Sequence, residues 1–399
     1  MKVLLINNCH YRRGGADIVY LNTAQLLKEK GVEVVFLSFN DERNIATGDR
    51  EYFLEKGNKL NQIRNYFCNP SAAKQIEKII EIEQPDIAHA HLMWGGITAS
   101  VVSVLHKHNI PIVHTVHDYR MVCPAYTFRN GKGMICEQCK NEQFFQCIRN
   151  KCSKESLLLS ALMALEMYYR NKKWHSATVL DGIIYVSKFA KQKHEEIDPR
   201  FAACQNMVLY NFSTVGEQFE PANKDGDYYL YYGRLSGEKG VKTLIKTFSR
   251  FPGLRLKVVG TGPIEMELKT TAGSNIDFLG YKTGSELYDL VRNSRFVCVP
   301  SEWYENNPMT IVESYSLGVP VIGANIGGIP EIVKVGVTGF LFESGNSESL
   351  EAAIQQSKAV SEQQYGEMKQ QAFSFAKENF NSKPYIDRLL GFYNDIINK

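Results

Sequence analysis

The sequence predicts an α/β protein made of two successive doubly wound domains, each with a parallel sheet between layers of helices. The first observation is the length, because 399 residues correspond to two or three domains at about 150 residues each. The second is a set of short, continuous apolar runs, which are typical of parallel strands covered on both faces. The third is that the alternation of such runs with helical segments starts again after residue 210.

The first predicted domain, residues 1–208, opens with a strand–helix–strand unit. A strand at residues 2–6 is followed by Gly14 and Gly15, then by a helix with apolar residues at helical spacing, and then by a strand at residues 32–39. Gly31 is expected to end the helix. Parallel strands joined in this way form a right-handed crossover. Further buried strands are predicted at residues 85–90, 110–116 and 183–186.

The second predicted domain, residues 209–383, repeats the pattern. It begins with a strand at 228–232, a glycine-containing loop at 233–240 and a helix at 241–249. Further strands are predicted at residues 254–260, 277–279, 296–300 and 319–323. Open α/β sheets bind ligands outside the carboxyl ends of their strands. Two Rossmann-like domains of this kind are therefore expected to face a cleft that is lined by the loops after the strands.

The charge balance limits the classes of partner. The chain has 46 basic and 43 acidic residues, a net charge of +3, which argues against a dedicated nucleic-acid binder. Residues 1–200 carry 27 basic and 21 acidic residues, so the first half is the more basic one. No stretch approaches the roughly 18 apolar residues of a membrane span, and the first apolar run is too short for a signal peptide. We therefore expect a cytoplasmic protein.

The first strand of each domain is followed by a loop that is a candidate for phosphate binding. Gly14 and Gly15 precede a helix, whose free amides and dipole attract anions. The loop 233–240 adds Arg234 and Lys239, two cations that suit phosphate oxygens. Together they can neutralise a diphosphate leaving group without a divalent metal. Plain turns with ordinary surface charges are the alternative interpretation.

Two carboxylates, Glu305 and Glu313, follow a buried strand that ends at Pro300. Pro308 is suited to the start of a helix, which places Glu305 on the loop and Glu313 about one turn inside the helix. One carboxylate can bind a ribose diol and the other a sugar hydroxyl. The alternative is an ordinary loop glutamate and an ordinary surface-helix glutamate.

His117 and Asp118 end a predicted strand of the first domain. Polar residues at the carboxyl end of a strand are candidates for a site. His117 can stabilise a reacting sugar, and Asp118 can hold the sugar or the acceptor. A structural hydrogen bond is the alternative role for the histidine.

These motifs, in this order and spacing, resemble those of the retaining glycosyltransferases of family 4 (GT4), over nearly the whole chain. The matching segments are residues 14–16, 117–124, 232–240, 259–263, 300–313, 318–320 and 327–331. The resemblance implies the GT-B fold. It also implies that Arg234 and Lys239 bind the diphosphate, that Glu305 contacts the donor sugar, that Glu313 contacts the ribose and that His117 lies near the sugar ring. Further donor-binding residues implied at matching positions are Gly14, Gly15, Gly262, Asn306, Asn307, Met309 and Thr310.

The same resemblance implies a metal-independent reaction with a nucleotide-diphosphate sugar, and we expect a UDP-sugar. The acceptor would be a glycan or a lipid-linked glycan in cell-surface polysaccharide synthesis, and the C-terminal helix 384–399 would pack back onto the first domain. Two alternatives stay open, a nucleotide-sugar 2-epimerase of the same fold and a non-catalytic sugar-nucleotide-binding protein. An insertion on the acceptor side speaks against the epimerase.

That insertion, residues 123–152, is rich in cysteine. Cys136, Cys139, Cys147 and Cys152 form a CxxC pair followed by a second, more widely spaced pair. In a cytoplasmic protein such a group suits a structural Zn²⁺ better than disulfides. Reduced thiols packed in a small subdomain are the equal alternative, and disulfides are the third.

The segment 156–174 is apolar nearly all round and ends with Lys172, Lys173 and Trp174. Such a helix can lie in a membrane interface, with its cations on anionic head groups and its Trp at the boundary. The more ordinary interpretation is a buried helix of the first domain. The membrane interpretation predicts peripheral attachment at the inner face of the membrane.

Overall fold

The computed structural model describes residues 1–215 and 226–399, and the chain divides into two compact units. The first unit consists of Met1–Leu209 together with Lys383–Lys399, and the second of Tyr210–Ser382. Residues 216–225, which fall inside the predicted second domain, lie outside the described residues.

The first unit is an α/β unit with one sheet. Its strands are β1 (Lys2–Ile6), β2 (Glu33–Phe39), β3 (Arg50–Leu54), β4 (Ile87–Ala90), β5 (Ile112–Val116), β6 (Gly182–Tyr185) and β7 (Asn206–Val208). Its helices up to residue 197 are α1 (Gly15–Glu29), α2 (Lys59–Phe67), α3 (Pro70–Glu83), α4 (Ser100–Lys107), α5 (Phe145–Arg149), α6 (Leu157–Trp174), α7 (Ser176–Val179) and α8 (Lys188–Ile197).

The strands of the first unit form a parallel sheet with the order β3-β2-β1-β4-β5-β6-β7. The order reverses between β1 and β4, the point at which such sheets bind ligands. The central strands are buried along their length, as expected for strands that are covered by helices on both faces.

The second unit has a second parallel sheet, with the order β10-β9-β8-β11-β12-β13. The strands are β8 (Tyr228–Tyr232), β9 (Arg255–Val259), β10 (Ile276–Gly280), β11 (Phe296–Val299), β12 (Val321–Ala324) and β13 (Gly339–Phe342). The helices are α9 (Val241–Phe248), α10 (Glu265–Thr271), α11 (Gly284–Arg292), α12 (Met309–Ser316), α13 (Ile329–Ile332), α14 (Ser347–Ala359) and α15 (Glu362–Asn379).

Alternate residues of β8 feed two separate apolar clusters. Tyr229 and Tyr231 pack in the cluster on one face of the sheet, and Tyr228, Leu230 and Tyr232 pack in the cluster on the other. Because successive side chains of a strand point to opposite faces, the five apolar residues of this strand are buried on both sides.

The last helix, α16 (Ser382–Ile397), packs within the first unit from Lys383 onward. The Tyr385 hydroxyl lies 3.2 Å from the hydroxyl of Thr23 on α1. The helix also passes so close to β6 that a Cβ at Gly182 would lie 2.9 Å from the ring of Phe392. Residues that are far apart in the sequence therefore complete the first unit.

The predicted fold class is confirmed, because both units contain a parallel, doubly wound sheet. The predicted strands of both domains are present, with bounds that differ by at most two residues. The sequence analysis missed β3, β7 and β13. These strands lie at the edges of their sheets. β3 and β7 are only partly buried and lack the continuous apolar run of a central strand, whereas β13 has a short apolar run that the analysis did not use.

Candidate active site

In the second unit, the loops after β8 and β11 touch each other at the point where the strand order reverses. The amide of Glu302 donates a hydrogen bond of 2.9 Å to the carbonyl of Glu238. Gly240 has a φ of 68°, and a Cβ there would lie 1.7 Å from the carbonyl oxygen of Pro300. Only glycine meets both conditions, so this residue allows the two loops to approach closely.

Lys239 and Glu305 form an ion pair across these two loops. The Lys239 Nζ atom lies 2.6 Å from Glu305 Oε1 and 4.8 Å from the centre of the Trp303 ring. The Ser301 hydroxyl donates a further hydrogen bond of 2.8 Å to the same carboxylate oxygen. Burial raises the pKa of Glu305, but the charge and hydrogen bonds of its partners outweigh it, so the net pKa lies below the ordinary value. The carboxylate is therefore ionised at neutral pH.

Arg234 differs from Lys239 because its side chain is exposed. The backbone carbonyl of Arg234 accepts a hydrogen bond of 2.8 Å from the Tyr231 hydroxyl. Its guanidinium makes no hydrogen bond or ion pair with any residue of the described chain. A planar cation in this state suits a phosphate group.

Gly262 contributes to the loop packing through its backbone. A Cβ at this position would lie 2.2 Å from the carbonyl oxygen of Leu235, and the Leu235 amide donates to the carbonyl of Thr261 at 3.0 Å. The absence of a side chain therefore lets the loop after β9 lie against the loop after β8.

Glu313 lies on α12, beside the end of β8. Met309 and Thr310 provide the first amides of this helix, which follows Pro308 and leaves them without acceptors in the helix. The Tyr232 hydroxyl lies 3.3 Å from Glu313 Oε2 and donates to the carbonyl of Thr310 at 2.8 Å. Burial raises the pKa of Glu313 from 4.5 to about 7, and the contact with Tyr232 offsets only part of this effect.

Asn306 and Asn307 are both buried between Glu305 and α12. The side-chain oxygen of Asn307 accepts a hydrogen bond of 2.8 Å from the Asn211 amide, and the Asn211 side chain donates to the Asn307 carbonyl at 2.8 Å. This reciprocal pair fixes the loop that carries Glu305. A direct contact of either asparagine with a donor stays a prediction.

In the first unit, Gly14 and Gly15 lie at the start of α1, as the sequence indicates. Gly14 is the residue before the helix, and the position of a Cβ there is open, with Asp17 Oδ2 nearest at 4.0 Å. Asp17 itself is buried and accepts a hydrogen bond of 2.9 Å from the Asn7 side chain. Burial raises the pKa of Asp17, and a hydrogen bond from the Gly14 backbone amide offsets part of this effect, so this carboxyl supports the turn that carries the glycines.

His117 follows β5 and is a half-buried residue. Its Nε2 atom lies 2.9 Å from Nδ1 of His91, and the two rings are stacked with their centres 5.2 Å apart. Burial lowers the pKa of His117 to about 3, so the ring is neutral at physiological pH.

His91 was missed by the sequence analysis. It follows β4 directly and lies two residues after His89, which is part of that strand. Because β4 and β5 are neighbours, the residues after their carboxyl ends come together. A histidine after each of two adjacent strands is the signal that was available in the sequence.

Asp118 and Arg120 shape the turn after His117. The Asp118 carboxylate accepts a hydrogen bond of 3.0 Å from the Arg120 amide and lies 3.7 Å from its Nε atom. The Arg120 guanidinium stacks 4.3 Å from the centre of the Tyr126 ring. In this structure Asp118 therefore has a local structural role, and a contact with substrate stays a prediction.

The four cysteines predicted as zinc ligands have free thiols. In the described part of the chain, one group of at least three possible metal-ligand atoms has all of its atoms within 4.8 Å of one another. None of the four thiols belongs to this group. A tetrahedral zinc with bonds of about 2.3 Å needs its sulfurs closer together than that. Cys147 and Cys152 form a hydrogen bond with each other, which raises the pKa of Cys147 and lowers that of Cys152. A structural zinc at the four cysteines stays a prediction, beside the alternative of packed thiols. Burial raises the pKa of Cys136 and Cys139, which keeps these thiols protonated.

The group whose possible ligand atoms lie this close together consists of Glu142, His175 and Asp198. His175 Nδ1 accepts a hydrogen bond from the Ala177 amide, so its Nε2 carries the proton that is donated to Asp198 at 2.9 Å. Arg200 contacts both carboxylates and supplies the positive charge that a metal would bring. This cluster is an ion-pair network that ties the cysteine-rich insertion to the segment after α8.

Helix α6 has one buried face and one exposed face. Arg170 is buried and binds Glu166 at 2.9 Å, the carbonyl of Arg120 at 2.8 Å and the face of the Trp94 ring at 4.7 Å. Trp174, expected at a membrane boundary, is instead buried and donates to the Ser103 hydroxyl at 2.5 Å. The opposite face exposes Leu157, Leu158, Leu165, Tyr168 and Tyr169. Among the described helices, we find none with the length and apolar character needed to cross a membrane.

Comparison with known proteins identifies the family. Residues 13–211 match Glycosyltransferase Family 4, and residues 216–374 match Glycosyl transferases group 1. An uncharacterized glycosyltransferase of Methanocaldococcus jannaschii is 31% identical over 366 residues, which cover 89% of this chain and 87% of that protein. The chain belongs to the family 4 glycosyltransferases. The transferase is also 23% identical, over 84% of its length and 88% of the other protein, to an uncharacterized 42.6 kDa protein in the cps region of Klebsiella pneumoniae.

A solved structure shares the GT-B fold of this transferase. The structure of Anabaena Alr3699/HepE in complex with UDP-glucose aligns with a TM-score of 0.70 and 18% sequence identity, over 99% of this chain and 100% of that one. The expected GT-B fold is thereby confirmed, and the expected enzyme class, a glycosyltransferase, is confirmed by the family matches and the related glycosyltransferase.

Proposed function

We propose that this glycosyltransferase moves a sugar from a nucleotide-diphosphate sugar to a glycan or lipid-linked acceptor, with retention of the anomeric configuration and without a catalytic metal. The observation that carries the proposal is the Lys239–Glu305 pair at the crevice of the second sheet. The contact between Lys239 and the ionised Glu305 can open when a donor binds. Lys239 then binds phosphate oxygens, and Glu305 accepts hydrogen bonds from sugar hydroxyls.

The reaction breaks the bond between the anomeric carbon and the diphosphate oxygen and forms a bond from that carbon to an acceptor hydroxyl oxygen. The leaving diphosphate gains negative charge, and Lys239 and the exposed Arg234 stabilise that charge. The acceptor proton passes to the departing phosphate oxygen. Glu313 orients the ribose, and His117 contacts the sugar.

A UDP-sugar is the donor that we propose first, because the structurally similar Alr3699/HepE was solved with UDP-glucose. A role in cell-surface polysaccharide synthesis is supported by the related protein in the cps region of Klebsiella pneumoniae.

The test is a calorimetric titration of the intact protein with UDP-glucose, GDP-mannose and ADP-glucose in the presence of a chelator. We expect one nucleotide to bind, and the Lys239→Ala variant to lose turnover by about a hundredfold, the scale for one group that stabilises transition-state charge. Lys242→Ala is the matched control, because Lys242 also forms a 2.6 Å ion pair, with Glu267, on an exposed surface. Equal loss in both variants, or donor binding that requires a divalent cation, contradicts the proposal. Proton NMR of the product reports whether its anomeric configuration is retained.

We also propose that the exposed face of α6 contacts the membrane at its inner, cytoplasmic surface. Leu158 and Leu165 are 79% and 56% exposed, and Lys172 and Lys173 follow on the same helix. Apolar side chains beside cations are typical of helices that bind anionic interfaces.

Flotation with phosphatidylglycerol vesicles tests this contact. Binding should be lost in a Leu158→Glu, Leu165→Glu double variant and kept in Ile82→Glu, because Ile82 is 67% exposed on a different helix, α3. No binding by the unmodified protein refutes the membrane contact and leaves the transfer reaction untouched.

A further inference from the structure

Helix α2 (Lys59–Phe67) lies on the surface of the first unit. Asn58 precedes it, and the Asn58 side chain accepts a hydrogen bond of 2.9 Å from the Asn61 amide. In the described structure none of the nine residues of α2 is buried, although Leu60 and Ile63 are apolar and Leu60 is 78% exposed. An isolated helix of this length is marginal in water, so a partner that covers its apolar face would stabilise it.

The apolar side chains of α2 form a stripe that leads to α6. Leu60, Ile63 and Phe67 recur at spacings of three and four residues and therefore share one face of the helix. The ring of Phe67 contacts the ring of Tyr169 on α6, with the ring centres 6.0 Å apart. Leu165 lies four residues before Tyr169, and both are exposed. The two apolar faces therefore join, and we call the exposed side chains of both the α2–α6 surface: Leu60, Ile63, Leu158, Leu165 and Tyr169.

The exposed charges beside the α2–α6 surface all have the same sign. Helix α2 contains the exposed cations Lys59 and Arg64 and has no acidic residue in its sequence. On α6, Lys172 and Lys173 are exposed, whereas the acidic residue of this helix, Glu166, is buried in an ion pair inside the unit. A fitting partner therefore offers apolar material together with negative charge. An anionic lipid bilayer provides both.

The end of α2 lies against the loops at the carboxyl end of the first sheet. Gly95, on the loop after β4, has a φ of 76°, and a Cβ there would lie 3.1 Å from the Tyr66 ring of α2 and 2.6 Å from the Arg120 guanidinium. Arg120 belongs to the turn after β5, where its amide donates to Asp118. The α2–α6 surface therefore adjoins the sheet edge at which open α/β sheets bind their ligands.

We propose that α2 and the exposed face of α6 together form one surface that binds an anionic lipid bilayer. This inference rests on the membrane contact of α6 proposed above and adds a second helix to it. A single helix on a bilayer leaves the protein free to rotate about the helix axis, whereas two joined helices fix its orientation. The second contact thus holds the loops after β4 and β5 beside the lipid head groups.

The first measurement is amide hydrogen exchange, followed by mass spectrometry, of the full-length protein with and without phosphatidylglycerol vesicles. We expect α2 to exchange quickly in solution, because it is not buried, and about tenfold or more slowly on vesicles. Helix α10 (Glu265–Thr271) is the internal control, since it carries Met266, which is 76% exposed. Its exchange should be the same in both samples. Unchanged exchange of α2 on vesicles that bind the protein overturns the proposal.

Matched variants test the side chains themselves. The Leu60→Glu, Ile63→Glu double variant should need about tenfold or more vesicles for half-maximal flotation, because it replaces apolar contacts by charges that anionic lipids repel. Met266→Glu makes the same kind of change at an equally exposed position of the second unit and should float like the unmodified protein. Since Leu60 and Ile63 are exposed, the double variant should keep its melting temperature, which separates lost binding from lost folding.

The outcomes distinguish this inference from the proposals on which it rests. If the Leu158→Glu, Leu165→Glu variant loses binding and the Leu60→Glu, Ile63→Glu variant keeps it, α6 alone contacts the membrane and the present inference is wrong. If the unmodified protein does not bind phosphatidylglycerol vesicles, both membrane proposals fail, whereas donor titration still decides the transfer reaction. Equal binding to phosphatidylcholine vesicles, which lack net charge, overturns the role given to the cations.

Discussion

The pKa of Glu313 predicts that donor binding weakens as the pH falls through neutrality. Burial raises this pKa from 4.5 to about 7. A carboxylate can accept hydrogen bonds from both hydroxyls of a ribose, whereas the protonated acid has less capacity to accept. The donor should therefore bind mainly to the ionised form, whose share increases above about pH 7.

The size of the effect follows from the titration. If only the ionised form binds, a pKa of about 7 leaves roughly nine-tenths of the protein competent at about pH 8 and roughly one-tenth at about pH 6. The dissociation constant should therefore rise about tenfold between these two values, equivalent to about 1.4 kcal/mol.

The assay is calorimetric titration with UDP-glucose across this range, because its diphosphate carries no group that titrates there. Glu313→Gln is the control, since its side chain has nearly the same shape and no ionisation. The variant should bind more weakly than the unmodified enzyme at about pH 8, and its affinity should not change with pH. An affinity of the unmodified enzyme that is constant over this range, or a variant that keeps the tenfold change, refutes the assignment of Glu313 to the ribose.

Three further outcomes test other parts of the structure. The Glu313→Gln variant should melt at a higher temperature than the unmodified enzyme above about pH 7, because burial of the ionised carboxylate opposes folding there; an equal or lower melting temperature contradicts the raised pKa. Gly262→Ala should lower the melting temperature and weaken donor binding, since its Cβ would lie 2.2 Å from the Leu235 carbonyl oxygen, whereas Gly253→Ala, with no atom within 4 Å, should change neither. Metal analysis of untagged protein should find no bound zinc if the insertion contains packed thiols, and about one zinc per chain would restore the closed site.

A strand can be predicted from the sequence when it is buried on both faces along its length. A strand such as β11 (Phe296–Val299) is buried at every position, and its apolar run is visible in the sequence without knowledge of its neighbours. Strand β3 (Arg50–Leu54) is only partly buried at the edge of its sheet. Its sequence gives no such run, because one side of an edge strand has no partner strand to pack beside it.

The sequence could predict which individual loops contribute to the candidate site, but not which residues of different loops contact each other. Glycines and charged residues directly after a strand indicate that the loop at its carboxyl end binds a ligand. This inference needs only the order of residues along that stretch of sequence. That Lys239 meets Glu305 depends on β8 and β11 being neighbours, although 66 residues separate the two side chains in the sequence. The His91–His117 contact depends in the same way on the pairing of β4 with β5.

Lys239 and Glu305 act as a pair, and their different exposure gives them different roles. Glu305 is buried, whereas the Lys239 side chain is 27% exposed, so the carboxylate is the fixed partner and the ammonium group is the one that can turn toward a phosphate. If Lys239 is removed, a buried carboxylate loses its counter-charge, which is more costly than the loss of an exposed pair. The Lys239→Ala variant should therefore lose stability as well as turnover. A Lys239→Ala, Glu305→Gln double variant should regain the stability and not the turnover, because it removes the uncompensated charge and leaves the leaving diphosphate without its cation.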